Sequence, residues 1–332
     1  MEQLHQQAYE ALSQTLERAI LHTGKALVIF DDEAELTKII TEGYRIALPD
    51  AKFLDIEGLN KEDISVEFEK LSPGDLVVLV QSSNFRLDDF RIRIFLFRMG
   101  LKTIEHTHLG RMPQDQWGTY IEALKYDPLF FHRLGQSVLG KLEEGKRTEV
   151  KCKDLSLVYD VPFEEPKLNI GDYRNTKNVG GTFPIGEIFT ESTELSRVNG
   201  SALIFAFAGM DHVVRTYEPF EVIVKDGILS AGKDAPNEFL EIIALIKETE
   251  SVYVREFGLG MNPAIRKGRL LDDITACERM TGLHLSLGGK HSIFKKPGFN
   301  KKHGRYHIDV FVDADQILVD GEVIFEGGEY VV

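Results

Sequence analysis

The sequence predicts an α/β protein in two parts: a Rossmann-like, parallel-sheet domain over residues 1–150 and a mixed, strand-rich α+β domain over residues 151–332. Three observations predict this. Continuous apolar runs alternate with helical patterns in the first half, the pattern of a parallel sheet covered on both faces. Near residue 150 the texture changes to short alternating segments punctuated by Gly, Pro and Asn. Asp226-Gly227 and Asp320-Gly321 then sit between alternating segments, as hairpin turns do.

In order, Ala8, Leu12, Leu16 and Ala19 or Ile20 give residues 1–22 one apolar helical stripe. Strands follow at Ala26–Phe30, Phe53–Ile56, Leu76–Val80 and Lys102–Glu105, separated by helices over 33–46, 61–71 and 86–99. The turn after the first strand reads Phe30-Asp31-Asp32-Glu33. A dinucleotide site would carry Gly-x-Gly-x-x-Gly there so that pyrophosphate can approach the backbone. Three acids repel phosphate and serve as helix caps and dipole partners, so no dinucleotide is expected. Residues 112–145 read as two helices with Trp117, Tyr120, Phe130 and Phe131 in the core. Further strands are expected at Asp154–Tyr159, Ala202–Phe207, Phe220–Val224 and Gln316–Val319, with helices near 234–247 and 270–280.

The 332 residues carry 39 Lys plus Arg against 53 Asp plus Glu, a net charge of −14. That excludes a nucleic-acid partner held by general electrostatics. Cys152 and Cys277 form no CxxC pair, and the N-terminal segment lacks the basic start and apolar run of a secretion signal. A cytoplasmic protein with no membrane partner is expected.

Four of the ten histidines, His284, His291, His303 and His307, cluster near the C-terminus. The segment Tyr306–Phe311 alternates as a strand, so His307 and Asp309 point to one face. Imidazole plus carboxylate there suits Zn, Mn or Fe(II), or else a hydrogen-bonded polar pair on an open sheet face. His284 precedes a Gly288-Gly289 turn on a second alternating strand. Glu187 and Glu256 each lie in an apolar stretch punctuated by Gly and Pro, where a buried carboxylate needs a cation, a metal or a raised pKa. Arg255 is adjacent to Glu256, although neighbours on a strand face opposite ways. Lys290, Lys295, Lys296, Lys301, Lys302 and Arg305 reverse the sign of the chain locally, as an anion-binding lid or as a solvated loop.

On FPIGEIFT (183–190), EFGLGMNP (256–263), HLSLGG (284–289) and YHID (306–309), in this order and spacing, the chain resembles the metallo-aminopeptidases of the aminopeptidase T, S and II type. It also resembles their leucyl aminopeptidase-like relatives and the 2,5-dihydroxypyridine 5,6-dioxygenases. The resemblance implies metal ligands at Glu187, Glu256, His284, His307 and Asp309, one or two Zn, Co or Mn ions, a short peptide or small-molecule substrate, and a homodimer or larger homo-oligomer. Glu187 or Glu256 would bridge the metals or act as general base. His291 falls near the place of a metal-adjacent tyrosine in the peptidases, as a candidate acid/base or ligand, and Gly186 replaces the first of paired glutamates. Three readings follow: a metal-dependent aminopeptidase, a ring-cleaving dioxygenase with Fe(II) on His284, His307 and Asp309, and a non-catalytic ligand-binding descendant.

Overall fold

The computed structural model describes residues 2–85, 92–174, 176–289, 294 and 305–332. The chain forms two units, one of Met1–Phe131 with Ile170–Ile185, the other of His132–Asn169 with Gly186–Val332. In the first, α1 (Glu2–Gln14) runs into a π-helical turn at Thr15–Ile20. Its stripe of Ala8, Leu12, Leu16, Ala19 and Ile20 is buried, as the helical spacing requires. Strands and helices then alternate through β1 (Ala26–Phe30), α2 (Glu35–Ala47), β2 (Lys52–Asp55), α3 (Lys61–Phe68), β3 (Leu76–Val80), α4 (Ile92–Arg98) and β4 (Lys102–His106). The strands are parallel, and β3 is buried along its whole length. Leu27, Ile29, Val77 and Leu79, at every second position, pack with Ile64 and Phe68 of α3 and Leu96 of α4. Asn60 and Asp63 close a capping box that starts α3.

At the end of β1, the Asp31 carboxylate accepts from the Glu33 amide at 3.2 Å and the Ser82 amide at 2.7 Å. Two of the backbone donors at this turn are thus committed to a carboxylate. His106, at the end of β4, is wholly buried, with Tyr44 Oη 2.8 Å from Nε2 and Tyr120 Oη 2.8 Å from Nδ1. Tyr120 Oη donates to the Phe183 carbonyl at 3.4 Å, so His106 Nδ1–H donates to Tyr120 and Nε2 accepts from Tyr44. Burial pushes this imidazole down to about 3 from 6.5. Between those values the unfolded chain binds the extra proton, so stability falls as pH drops below 6.5. His106→Gln is expected to remove about 1.4 kcal/mol per pH unit of that slope, read as the difference between urea unfolding curves at acid and neutral pH.

Two helices follow, the short α5 (Trp117–Ala123) and the longer α6 (Pro128–Glu144). Tyr120 and Phe131 are buried, as expected, whereas Phe130 is 38 % exposed. Adjacent positions on a helix point about 100° apart, and here Phe131 takes the buried side while Phe130 lies at its exposed margin.

The strand-rich unit begins with the antiparallel pair β5 (Thr148–Cys152) and β6 (Leu155–Tyr159), then β7 (Lys167–Asn169). The division expected at 150 differs from this arrangement in two places. His132 already belongs to the second unit, and 170–185 return to the first because β8 (Gly180–Thr182) pairs parallel with β4. The first sheet is thus β2-β1-β3-β4-β8.

The chain continues through β9 (Glu187–Glu191), β10 (Val198–Ala208), β11 (Val214–Lys225), β12 (Ile228–Ala231), α7 (Asn237–Lys247) and β13 (Val254–Gly260). It ends with α8 (Ile274–Cys277), β14 (Gly282–Gly288), β15 (His307–Val312), β16 (Gln316–Val319), β17 (Glu322–Glu326) and β18 (Glu329–Tyr330). The expected hairpin turns occur, with Asp226 and Gly227, and Asp320 and Gly321, at positive φ. The helix expected over 270–280 shortens to α8, capped by the Asp273 side chain at the Ala276 amide. Beyond it, Met280 and Thr281 bridge Asn262 and Gly260, which draws the chain out of helical conformation. The second sheet runs β18-β17-β16-β5-β6-β10-β15-β14-β13-β9-β7, with β11 and β12 attached through β10.

Candidate metal centre

Four neighbouring antiparallel strands, β15, β14, β13 and β9, carry the acid and histidine motifs. Their register explains how side chains from separate parts of the sequence meet. Glu187 lies opposite Gly260, His284 opposite Gly258, Asp309 opposite Ser286 and His307 opposite Gly288. On that side each of these four faces a residue with little or no side chain, which leaves room for it to lean along the sheet face, although Glu187 also lies opposite Asn169 and His284 opposite Phe311. Gly258 shows the need most plainly: a Cβ there would stand 2.0 Å from His284 Nε2 and 2.2 Å from Cε1.

The ligand atoms gather in two groups, Glu187 with Glu256 and His284, and Glu256 with His307 and Asp309, each within 4.8 Å. Glu256 belongs to both. His284 Nε2 lies 3.4 Å from Glu187 Oε1 and 3.5 Å from Glu256 Oε1, and His307 Nε2 lies 3.3 Å from Asp309 Oδ1. Four of the five side chains are buried; that of His307 is 38 % exposed.

Neighbouring groups fix these side chains. Arg279 Nη1 bridges Glu187 Oε2 at 2.7 Å and Glu278 Oε2 at 2.8 Å. Ser286 Oγ donates to Asp309 Oδ1 at 2.5 Å. His307 Nδ1 lies 3.3 Å from the Gly289 carbonyl, a contact that makes Nδ1 a donor and turns Nε2 toward Asp309. Arg279 and Glu278 escape sequence reasoning, because they lie just past α8 in a segment read as helix, where nothing local marks them as neighbours of the acids. Arg255, adjacent to Glu256, is turned elsewhere, to Glu191 at 3.5 Å, Glu250 at 3.6 Å and the Gly288 carbonyl. A shift in the β13–β14 register between Val254 and Phe257 accompanies that turn.

Burial alone would push both imidazoles toward the neutral form. Glu187 and Glu256 instead hold His284 well above its ordinary value, and Asp309 raises His307 to about 10. Burial likewise disfavours the Glu187 and Asp309 carboxylates, yet Arg279 holds Glu187 below its usual range and His307 does the same for Asp309. Burial, together with the Asp309 and Glu187 charges, pushes Glu278 well up. Protons thus occupy the positions where cations would sit.

A divalent metal fits these residues. The buried His284 Nε2 makes no hydrogen bond, and of the four carboxylates Glu187 and Glu278 pair with Arg279 while Glu256 and Asp309 have no arginine or lysine in ion-pair contact among the described residues. Clustered carboxylates in low dielectric require more positive charge than that. Imidazole nitrogen and carboxylate oxygen suit Zn, Mn, Co or Fe(II). Metal and protons compete for the same lone pairs, so loading is expected to release protons.

His291 lies outside the described residues, as do Lys290, Lys295, Lys296, Lys301 and Lys302. Arg305 packs its guanidinium 5.4 Å from the Tyr306 ring centroid. Cys277 is fully buried, and burial pushes its thiol up, as for a structural cysteine.

No protein-family model matches the chain, and no curated protein matches it. Among solved structures, it is similar to 2,5-dihydroxypyridine dioxygenase from Pseudomonas putida KT2440, with 14 % identity and a TM-score of 0.69 over 99 % of this chain and 98 % of that one. It is also similar to AmpT from Thermus thermophilus, with 13 % identity and a TM-score of 0.60 over 98 % of this chain and 99 % of that one. At these identities the likeness establishes the fold alone. Among the described residues, no helix is long and apolar enough to cross a membrane.

Proposed function

We propose that this chain is a metal-dependent hydrolase of the aminopeptidase kind, removing N-terminal residues from short peptides at a centre for two divalent ions. The observation that carries this reading is the pair of ligand groups sharing Glu256. One ion would be held by Glu187, Glu256 and His284, the other by Glu256, His307 and Asp309. Bound there, the metals would supply Lewis acidity toward a peptide carbonyl and a water of lowered pKa.

The chain's own residues do the rest. Arg279 holds one oxygen of Glu187 and leaves Oε1 toward His284, so the carboxylate is oriented before any ligand arrives. Ser286 does the same for Asp309, and the Gly289 carbonyl for His307. Glu187, kept ionised by Arg279, is suited to ligation and is a weak proton acceptor. Glu256, facing both groups, is suited to bridge. Arg279→Gln is expected to lower metal affinity or turnover about 10- to 100-fold, the range for residues that orient ligands. Arg279→Lys should restore part of the loss, and titration with a metal-sensitive dye checks both variants.

A second reading, one Fe(II) on His284, His307 and Asp309, draws on the Arg279–Glu187 ion pair, which gives Glu187 a cation without a metal. It would leave the acids as orienting groups and open positions for O₂. Against it, the His284 Nε2 faces Glu187 and Glu256. Aminoacyl p-nitroanilides offered to protein loaded with Zn, Co or Mn test the choice. Metal-dependent release of p-nitroaniline, abolished by chelation, is the expected result. Oxygen uptake with a dihydroxypyridine and iron, without amide hydrolysis, would overturn the hydrolase.

A further inference from the structure

The first unit holds a cleft of about 600 Å³ that belongs to none of the chemistry above. It opens where β1 and β2 begin, whereas open parallel sheets place their customary ligand sites beyond the carboxyl ends of the strands. All five metal-ligand candidates lie in the other unit. Leu27, Leu48, Pro49 and Leu71 give the cleft apolar walls. Lys25, Lys52 and Lys70 line it as well, with Asp50 and Glu67 as its carboxylates. A positive balance here runs against a net charge of −14 for the chain.

The charges are not equivalent. Glu67 is shared by Lys52 at 2.7 Å and Lys70 at 2.8 Å, so one carboxylate faces two ammonium groups. Lys25 has no ion-pair partner among the described residues. His22 also lines the cleft, together with a smaller recess of about 180 Å³ beside it, and its buried Nδ1 makes no hydrogen bond. The volume lies within the range of small-molecule sites, which combine apolar walls with a few polar groups that fix orientation.

We propose that this cleft binds a small amphipathic carboxylate, its apolar body against Leu27, Leu48 and Leu71 and its charged head at Lys25 with the Lys52–Lys70 pair. The inference is independent of the reaction at the metal centre. It implies a second ligand site on the chain, for a regulator or product-like acid.

The test is calorimetric titration of the metal-loaded full chain with 4-phenylbutyrate, its neutral amide and acetate. Lys25→Gln removes the unpaired charge, and Ala51→Phe fills the partly exposed wall; thermal unfolding shows that both variants fold. Saturable binding of 4-phenylbutyrate is expected, weakened about tenfold or more for Lys25→Gln, for Ala51→Phe and for the amide on the wild type, the scale of one charge-assisted hydrogen bond. Acetate should bind at least as weakly as the amide. No binding, equal affinity for the amide or for acetate, or binding that ignores both substitutions, as binding to the metal centre would, overturns the proposal.

Discussion

Glu256→Gln is expected to empty both metal positions and to lower turnover by more than about 100-fold, the upper end of what a change outside the ligands themselves costs. The reason is geometric. Glu256 is common to the two ligand groups, so replacing one carboxylate by an amide weakens both together. No other single ligand has that property. The side chain is nearly isosteric, so the metal-free variant should unfold within a few degrees of metal-free wild type, which separates site loss from misfolding. Metal content and Tm, measured on the same preparation, check the pair of outcomes.

Gly258→Ala is expected to have a comparably large effect by another route. The new methyl would stand 2.0 Å from His284 Nε2, and no rotamer of a single carbon relieves that. The imidazole must swing away from Glu187 and Glu256, at a cost of roughly 1–3 kcal/mol for overpacking. The group of Glu256, His307 and Asp309 does not use His284. Metal content should therefore fall to about one ion per chain, with activity lost, and the stoichiometry distinguishes this variant from Glu256→Gln.

Much of this was legible in the residues before any coordinates. Continuous apolar runs locate β1 and β3, because strands buried on both faces have no polar alternation to obscure them, and β2 and β4 follow from their places between the helical patterns. The alternation over 306–311 placed His307 and Asp309 on one face, and β15 puts them there with Nε2 and Oδ1 3.3 Å apart. The four motif segments lie on adjacent strands in the structure, but their order, β15-β14-β13-β9, depends on pairings as distant in sequence as Glu187 with Gly260, which no local pattern encodes.

What stayed hidden has the same physical origin. Arg279 reaches Glu187 from just past α8, so its role depends on tertiary placement alone. Arg255 is the visible cation beside Glu256 and is directed away from it, as strand alternation implies, but its partners Glu191 and Glu250 depend on tertiary placement. The return of 170–185 to the parallel sheet is a single short strand, β8, whose Gly180-Gly181-Thr182 carries no apolar signal. Likewise the extended pairing of Met280 and Thr281 overrode a helical pattern over 270–280.

If Glu256 joins two metal sites, metal stoichiometry shows it most directly. Elemental analysis of protein purified without added metal or chelator, then reloaded with excess Zn, Co or Mn and desalted, should give about two ions per wild-type chain. The same measurement should give about one for Gly258→Ala and less than one for Glu256→Gln. One iron per chain, retained undiminished in Glu256→Gln, would contradict the account.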